Sequence, residues 1–228
     1  MASTKEMNEK MMYELDHTTF GVEIEMTGIT REAAARVAAT ILPNSRVWEK
    51  GTSYHKWTCT DDRGRDWDFV YDSSIHSTGN DLMKCELNTP PLTYNRDMET
   101  LQKLIRALRH AGAIADAEHE CGIHVHVSGK RHTYETVKNF INLMYSNDEL
   151  VRKSLGIDPG RSERWCKPIE YDLVSAVKNV RSMDELEDAW YGTYSPWQSR
   201  TNHYNNSRYH ILNLHRYFST LGKSKNTI

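Results

Sequence analysis

Cysteine is scarce in this sequence of 228 residues, and no two of its four cysteines form a Cys-x-x-Cys pair. The four lie far apart, at Cys59, Cys85, Cys121 and Cys166. This spacing argues against a zinc ribbon and against a small scaffold held together by disulfides. We therefore expect reduced thiols that pack in the interior.

Long apolar runs are also missing. No stretch approaches the roughly 20 apolar residues of a membrane span, and residues 1–10 lack the apolar core of a signal peptide. The 29 basic and 31 acidic residues give a formal net charge of −2, so no positive excess favours nucleic acid or lipid. The sequence thus predicts a cytoplasmic protein with neither a nucleic-acid nor a membrane partner.

What the sequence does contain is an acidic strand pattern at residues 20–26. Side chains of a strand alternate between its two faces, so one face is apolar and the other carries Glu23 and Glu25. Two carboxylates on such an apolar strand are costly unless a cation or an open cleft receives them. The alternative is a sheet with one face in water.

Two later strands repeat this arrangement. Glu86 lies in a short strand that Pro90 and Pro91 are expected to end, because proline donates no ladder hydrogen bond. In the strand at residues 123–127, His124 and His126 share one face. Paired histidines beside a strand lined with carboxylates favour a site over isolated core or surface histidines.

The remaining pattern predicts an α+β protein. Helices are expected at residues 31–42, with Thr30 as N-cap, at 95–111, at 133–156 as one or two helices, and from 183 to about 191. Residues 54–60 and 66–72 are expected to form a hairpin. We expect a polar N-terminal arm at residues 1–17 and one catalytic domain at 18–228.

The candidate site residues Glu23, Glu25, Glu86, His124 and His126 are rich in oxygen ligands, which suit Mg²⁺ or Mn²⁺ better than zinc. Three glutamates suggest more than one cation, shared with a polyphosphate such as ATP. The sequence has neither the Gly-x-x-x-x-Gly-Lys-Ser/Thr loop nor the Gly-x-Gly-x-x-Gly fingerprint. Metals and arginines on a sheet would therefore have to hold the nucleotide.

Five motifs in this order resemble the amidoligase family, which is related to glutamine synthetase and glutamate–cysteine ligase: GVEIE at 21–25, DSSI at 72–75, ELNTPPL at 86–92, CGIHVHV at 121–127 and RYHILNL at 208–214. The resemblance implies a curved antiparallel sheet that lines the active site, with helices on its other face, as in the glutamine synthetase catalytic domain. It also implies ATP-dependent joining of a carboxylate to an amine through an acyl phosphate. The substrates would be amino acids, peptides or cell-wall fragments.

The resemblance assigns roles to particular residues. Glu23, Glu25 and Glu86 would bind Mg²⁺, with His124 or His126 as a further ligand of metal or phosphate. Arg208 would neutralise phosphate or bind the substrate carboxylate, unless it is a salt-bridged strand residue. Asn213 would support the nucleotide site, and Asp72 is a further acid that could equally stabilise a turn.

One departure from the family pattern concerns the C-terminus. The resemblance implies that residues 208–214 form a strand and that a further strand with a Glu-Phe-Arg-like motif follows it in the family, whereas here the sequence ends at residue 228. We therefore expect the catalytic domain to lack its last strand. Two alternatives remain: a metal-dependent hydrolase that needs no ATP, and an inactive domain that binds a partner through the aromatic loop at 190–204.

Overall fold

A computed structural model describes residues 3–51, 55–219 and 227–228. The chain divides into two units, residues 1–127 and residues 128–228. The first unit contains the sheet: β1 Thr19–Met26, β2 Arg46–Lys50, β3 Lys56–Thr60, β4 Asp66–Val70, β5 Cys85–Asn88, β6 Leu92–Thr93 and β7 Ile123–Val127. Its helices are α1 Thr4–His17, α2 Arg31–Ile41 and α3 Tyr94–His110. The fold class is α+β, as the sequence predicts.

The predicted acidic strand is β1, and it lies inside the sheet. In the described part of the chain the neighbouring strands run in the order β2-β3-β4-β5-β1, and β7 pairs with the other side of β1. All these pairs are antiparallel. A strand with neighbours on both sides can place its side chains against those of two other strands.

Strand β5 ends at Asn88, before Pro90 and Pro91, as the sequence predicts, but pairing to β1 begins again after the prolines. Asn88 pairs with Glu23, and pairing to β1 resumes where Leu92 lies opposite Phe20. From Asn88 to Leu92 the chain advances four residues, whereas the paired strand β1 advances three, from Glu23 to Phe20. One extra residue on one strand of an antiparallel pair is a β-bulge. The bulge accommodates the two prolines because it removes their positions from the hydrogen-bonded register.

Helices α2 and α3 pack on the apolar face of the sheet. This core contains buried residues from five strands and both helices, among them Met26, Trp67, Phe69, Leu87, Ala34, Ala38, Leu101 and Leu104. The side chain of Thr30 caps α2 by accepting a hydrogen bond from the Ala33 amide, at 3.2 Å, as predicted. With one face packed on helices, the polar side chains are left on the other face.

The predicted hairpin is present as β3 and β4, although Tyr54 of the predicted range lies outside the described residues. Strand β2, which pairs with β3 from Arg46 to Lys50, was not expected from the sequence. Three of its five residues are charged, so its sequence lacks the apolar alternation typical of a strand. The N-terminal arm is helical as α1, and Ser3 forms a capping box with Glu6.

The second unit is built from helices: α4 Tyr134–Ser146, α5 Asp148–Leu155, α6 Pro159–Arg164, α7 Tyr171–Ala176, α8 Met183–Tyr194 and α9 Leu214–Ser219. The predicted helices at 133–156 and from residue 183 are confirmed as α4, α5 and α8. Val137, Leu173, Leu186 and Trp190 are fully buried in its core. None of the helices in the described part of the chain has the length and apolar character needed to cross a bilayer.

The segment 208–214 is not a strand, contrary to the expectation from the sequence. Arg208 ends a short 3-10 helix, Asn206–Arg208, and Leu214 begins α9. Within the described part of the chain, the strand-like pairing of this segment is a bridge between Lys167 and His210. Apolar and polar residues largely alternate over this seven-residue segment, and an alternation this short does not distinguish a strand from a connection between two short helices.

Candidate metal and catalytic site

Three carboxylates from three parts of the first unit meet on the polar face of the sheet. Glu25 of β1 and Glu86 of β5 lie directly opposite each other in the antiparallel ladder. Asp72 follows β4, which is the neighbour of β5. One oxygen from each of the three side chains lies within 4.8 Å of the others. This group, Glu25, Asp72 and Glu86, is called the carboxylate cluster below.

Hydrogen bonds orient each member of the carboxylate cluster. Glu25, which is 7% exposed, accepts a hydrogen bond from the Gly122 amide at 2.6 Å. Glu86 accepts one from Asn88 Nδ2 at 2.7 Å. Asp72 accepts two from Ser74, from its amide at 2.7 Å and from its hydroxyl at 2.6 Å. The oxygens are therefore held in place by the fold itself.

The carboxylate cluster is electrostatically strained. Burial raises the pKa of Glu86, and the charges of Glu23, Asp72 and Glu25 raise it further, whereas the hydrogen bond from Asn88 opposes this shift. The resulting pKa of Glu86 is about 7. Burial and the neighbouring carboxylates thus both disfavour a negative charge on Glu86, and a cation beside it would offset both effects.

Two histidines of β7 lie beside the carboxylate cluster. His124 is opposite Glu23 in the ladder, and its Nε2 lies 3.8 Å from Glu25 Oε1. His126 Nε2 is buried and lies 3.1 Å from Glu23 Oε1, without the alignment of a hydrogen bond. Contact with the Glu25 carboxylate raises the pKa of His124 although burial opposes this shift. The two histidines thus extend the ionisable surface of the site.

The donor atoms of the carboxylate cluster fit a hard divalent cation. Three carboxylate groups offer up to six oxygens, and oxygen ligands are those that Mg²⁺ and Mn²⁺ prefer. The raised pKa of Glu86 reflects first its burial and then the repulsion from neighbouring carboxylates, and a cation bound at this position would favour the ionised form against both. The cluster therefore has both the ligands and the charge for magnesium.

The structure places the predicted site residues in two groups. Glu23, Glu25, Glu86, His124 and His126 come together on β1, β5 and β7 of the first unit. Arg208 and Asn213 belong to the second unit, where each has a local role. Arg208 Nη1 donates a hydrogen bond to the His203 carbonyl at 2.9 Å, and Asn213 Oδ1 accepts one from the Arg216 amide at 3.4 Å. Their roles in binding phosphate stay predictions.

Sequence reasoning gave Asp72 little weight and missed Asn88. Asp72 does stabilise a turn through Ser74, and it is also a member of the carboxylate cluster. Asn88 orients Glu86 and lies two residues after it on the same strand, so the period of two could have found it. No comparable pattern along the chain identifies Asp72, because Asp72 comes close to Glu25 and Glu86 only when β4 lies beside β5 in the sheet.

A cavity of about 700 Å³ opens elsewhere in the first unit. It is lined by Arg31, His55, Tyr71, Asn80, Asp81 and Leu82, and so does not include the carboxylate cluster. Arg31 donates hydrogen bonds to the carbonyls of Asp81, Leu82 and Lys84, which gives this arginine a structural role. We place the site at the carboxylate cluster because the reactive groups are there.

Comparison with known proteins identifies a family for this chain. A family model described as "Putative amidoligase enzyme" matches residues 16–222, which include every residue of the site. No curated protein and no solved structure matches the chain. The matched region is most of the sequence and contains the carboxylate cluster, both histidines and the strands that hold them. The chain belongs to this amidoligase family.

Proposed function

We propose that this protein is an ATP- and Mg²⁺-dependent ligase that joins a carboxylate to an amine. The observation that carries the proposal is the carboxylate cluster of Glu25, Asp72 and Glu86 in a chain of the amidoligase family. Amide formation in water needs an activated carboxylate, and ATP is the usual source of that activation. The proposal includes a fold relationship to the catalytic domain of glutamine synthetase.

The proposed reaction has two steps. A carboxylate oxygen of the first substrate attacks the γ-phosphorus of ATP, so that the bond to the β-phosphate oxygen breaks and ADP and an acyl phosphate form. The amine of the second substrate then attacks the acyl carbon and displaces inorganic phosphate. The amine loses one proton as the amide forms. Positioning and charge neutralisation are the protein's main contributions to such phosphoryl transfer.

The residues of the first unit divide these tasks. Glu25, Asp72 and Glu86 would hold Mg²⁺ or Mn²⁺, which neutralises phosphate charge when bound. Our candidate to take the proton from the amine is His126, whose Nε2 lies 3.1 Å from Glu23 Oε1. His124 would add a further ligand to metal or phosphate.

Calorimetry tests the metal and nucleotide parts of this proposal. We expect the parent protein to bind ATP in the presence of Mg²⁺ and to lose this binding when EDTA removes the metal. The double variant Glu25→Gln/Glu86→Gln should lose it too, because amides cannot replace two anionic ligands. The matched control is Glu9→Gln/Glu99→Gln, which neutralises two glutamates on the exposed surfaces of α1 and α3.

Turnover tests the chemical part. A mixture of candidate acids and amines should make the protein release ADP and phosphate in equal amounts, with an amide as the third product. Failure of a folded parent to bind Mg²⁺ and ATP would contradict the proposal. Metal-dependent cleavage of an amide without ATP would instead support the hydrolase alternative.

A further inference from the structure

The polar face of the sheet continues beyond the carboxylate cluster toward β2. Glu86, which lies opposite Glu25, also lies opposite Val70 on β4. The next strand, β3, begins at Lys56, and Lys56 lies opposite Lys50 on β2. Lys56 thus lies two strands away from Glu86, at a backbone separation of about 10 Å. One half of this face is acidic, and the other half carries lysines.

An indole ring lies on the half of this face that carries Lys50 and Lys56, which pair with Asp66 and Asp68 respectively. Trp48 of β2 lies in one row of paired residues that crosses the sheet to Glu23 of β1. The residues between them in this row are Thr58, Asp68 and Asn88, each opposite the next. Directly opposite residues of an antiparallel sheet point to the same face, so Trp48 shares a face with the site. The position of Trp48 is therefore set by the register of the whole sheet.

Contacts within the sheet fix the orientation of the Trp48 ring. Its Nε1 donates a hydrogen bond to Thr60 Oγ1 at 3.0 Å, which draws the ring across the neighbouring strand. Lys50 Nζ lies 5.1 Å from the ring centroid, where a cation interacts favourably with the π system. Since Trp48 is half-buried and hydrogen-bonded, the ring is ordered before any ligand binds.

Lys56 lies between the ring and the carboxylate cluster. Its ammonium group pairs with Asp68, whose other carboxylate oxygen accepts a hydrogen bond from Thr58 at 2.7 Å. The side chain of Lys56 keeps about a fifth of its surface exposed, at 19%. An ammonium group in this position can interact with an anionic chain that crosses the sheet.

We propose that Trp48 is the stacking platform for the base of the nucleotide and that the phosphate chain passes Lys56 to reach the carboxylate cluster. This inference rests on the proposed function and assigns the base and phosphate ends of the same ligand. A planar base stacks on an indole, a phosphate chain pairs with an ammonium group, and the cluster receives the metal that accompanies the terminal phosphates. Stacking tolerates different bases, so ATP and GTP should both bind.

The test compares Mg²⁺–ATP with Mg²⁺–tripolyphosphate, which has the phosphates but no base. Calorimetry is carried out on the parent and on Trp48→Ala, Trp48→Phe, Lys56→Gln and Trp197→Ala. Trp197, which is 96% exposed and lies in the second unit, provides the matched tryptophan control. Circular dichroism and thermal unfolding establish that each variant is folded.

We expect Trp48→Ala to weaken ATP binding by about tenfold and to leave tripolyphosphate binding unchanged. Trp48→Phe keeps an aromatic face but loses the hydrogen bond to Thr60, so it should retain most of the ATP affinity. Lys56→Gln should weaken both ligands to a similar extent. Trp197→Ala should bind both ligands as the parent does.

The outcomes separate this inference from the proposed function. A parent that binds neither ligand with Mg²⁺ contradicts the proposed function and with it this inference. A parent that binds ATP no better than tripolyphosphate, or whose ATP affinity is unaffected by Trp48→Ala, overturns the stacking role alone. Equal weakening of both ligands by Trp48→Ala also overturns it, because a purely structural residue would act in that way.

Discussion

Glu25 and Glu86 face each other across β1 and β5, and Asp72 brings a third carboxylate within 4.8 Å of both. Like charges directly opposite each other destabilise a sheet. Ile24 and Leu87, which are paired one position away and buried, hold the strands together in spite of this repulsion. The metal-free protein therefore stores a repulsion that a bound cation would release.

Neutralising Glu86 should stabilise the metal-free protein. In EDTA at pH 8, we expect Glu86→Gln to raise the free energy of unfolding by about 1 kcal/mol, because one charge leaves the cluster while the hydrogen bond to Asn88 can persist. Thermal unfolding measures this change. Adding Mg²⁺ should raise the Tm of the parent but not that of the variant. A lower Tm for the variant in EDTA would contradict the idea of stored repulsion.

Gly28 should not tolerate a side chain. Its φ is +79°, and a Cβ atom there would lie 2.4 Å from the Gly112 carbonyl oxygen. We expect Gly28→Ala to lower the free energy of unfolding by about 3 kcal/mol, through backbone strain and displacement of the loop after α3. Denaturant titration followed by circular dichroism measures the loss.

Gly64→Ala is the control for this prediction. Gly64 also has a positive φ, +71°, but a Cβ atom there would have no heavy atom of the described residues within 4 Å, its chain neighbours aside. Its substitution should cost about 1 kcal/mol, which is the conformational term alone. Equal losses for the two variants would show that the contact between Gly28 and Gly112 is unimportant.

Asp97 should be essential for the stability of the first unit. It is almost fully buried and accepts hydrogen bonds from Arg65, Arg63 and the Thr93 amide, at 3.0, 2.6 and 2.9 Å. Burial by itself would raise the pKa of Asp97, but these hydrogen bonds together lower it to about 2. Asp97→Asn should cost about 3 kcal/mol, because Arg63 and Arg65 lose a buried charged acceptor and Arg65 keeps only its pair with Asp61 among the described residues.

The pH dependence of Asp97 has a definite sign. The folded pKa lies below the ordinary value of 3.8, so the stabilisation is complete above that value and is lost as the pH falls toward 2. Unfolding free energies measured between pH 5 and pH 2 should decline more steeply in the parent than in Asp97→Asn. The exposed Asp62→Asn serves as control. Parallel profiles for parent and Asp97→Asn would refute the assignment.

His210 should make the second unit sensitive to weak acid. Burial lowers its pKa to about 4, and the charge of Lys167 adds to this effect, whereas the Ser207 carbonyl, which accepts from Nδ1 at 3.1 Å, opposes it. Between pH 6.5 and 4 the unfolded state binds a proton that the folded state does not. Stability is therefore complete above pH 6.5 and falls by up to about 3 kcal/mol as the pH approaches 4.

Replacing His210 by an aromatic residue that does not titrate tests whether His210 causes this loss of stability between pH 6.5 and 4. His210→Phe keeps the stack on Tyr194, whose ring centroid lies 3.7 Å from that of His210. Its Tm should depend less on pH between 6.5 and 4 than the Tm of the parent. His203→Gln, at an exposed position, should behave like the parent. The same slope in His210→Phe as in the parent would show that another group controls the transition.

Much of the fold of the first unit could be predicted because its signals are local. The alternation of Glu23 and Glu25 with apolar neighbours identified β1 and its two faces, and Thr30 marked the start of α2. Both depend on backbone geometry over a few residues. The missed strand β2 and the short helices around 208–214 lack such signals.

The alternation of residues along each strand was enough to predict which side chains share a face, and so to predict Glu23, Glu25, Glu86, His124 and His126 as neighbours of a site. The pairing of Glu25 with Glu86, the approach of Asp72 and the rise in the pKa of Glu86 to about 7 came from the folded chain. The period of a strand is fixed by its own backbone, whereas register and burial depend on contacts between residues far apart in the chain.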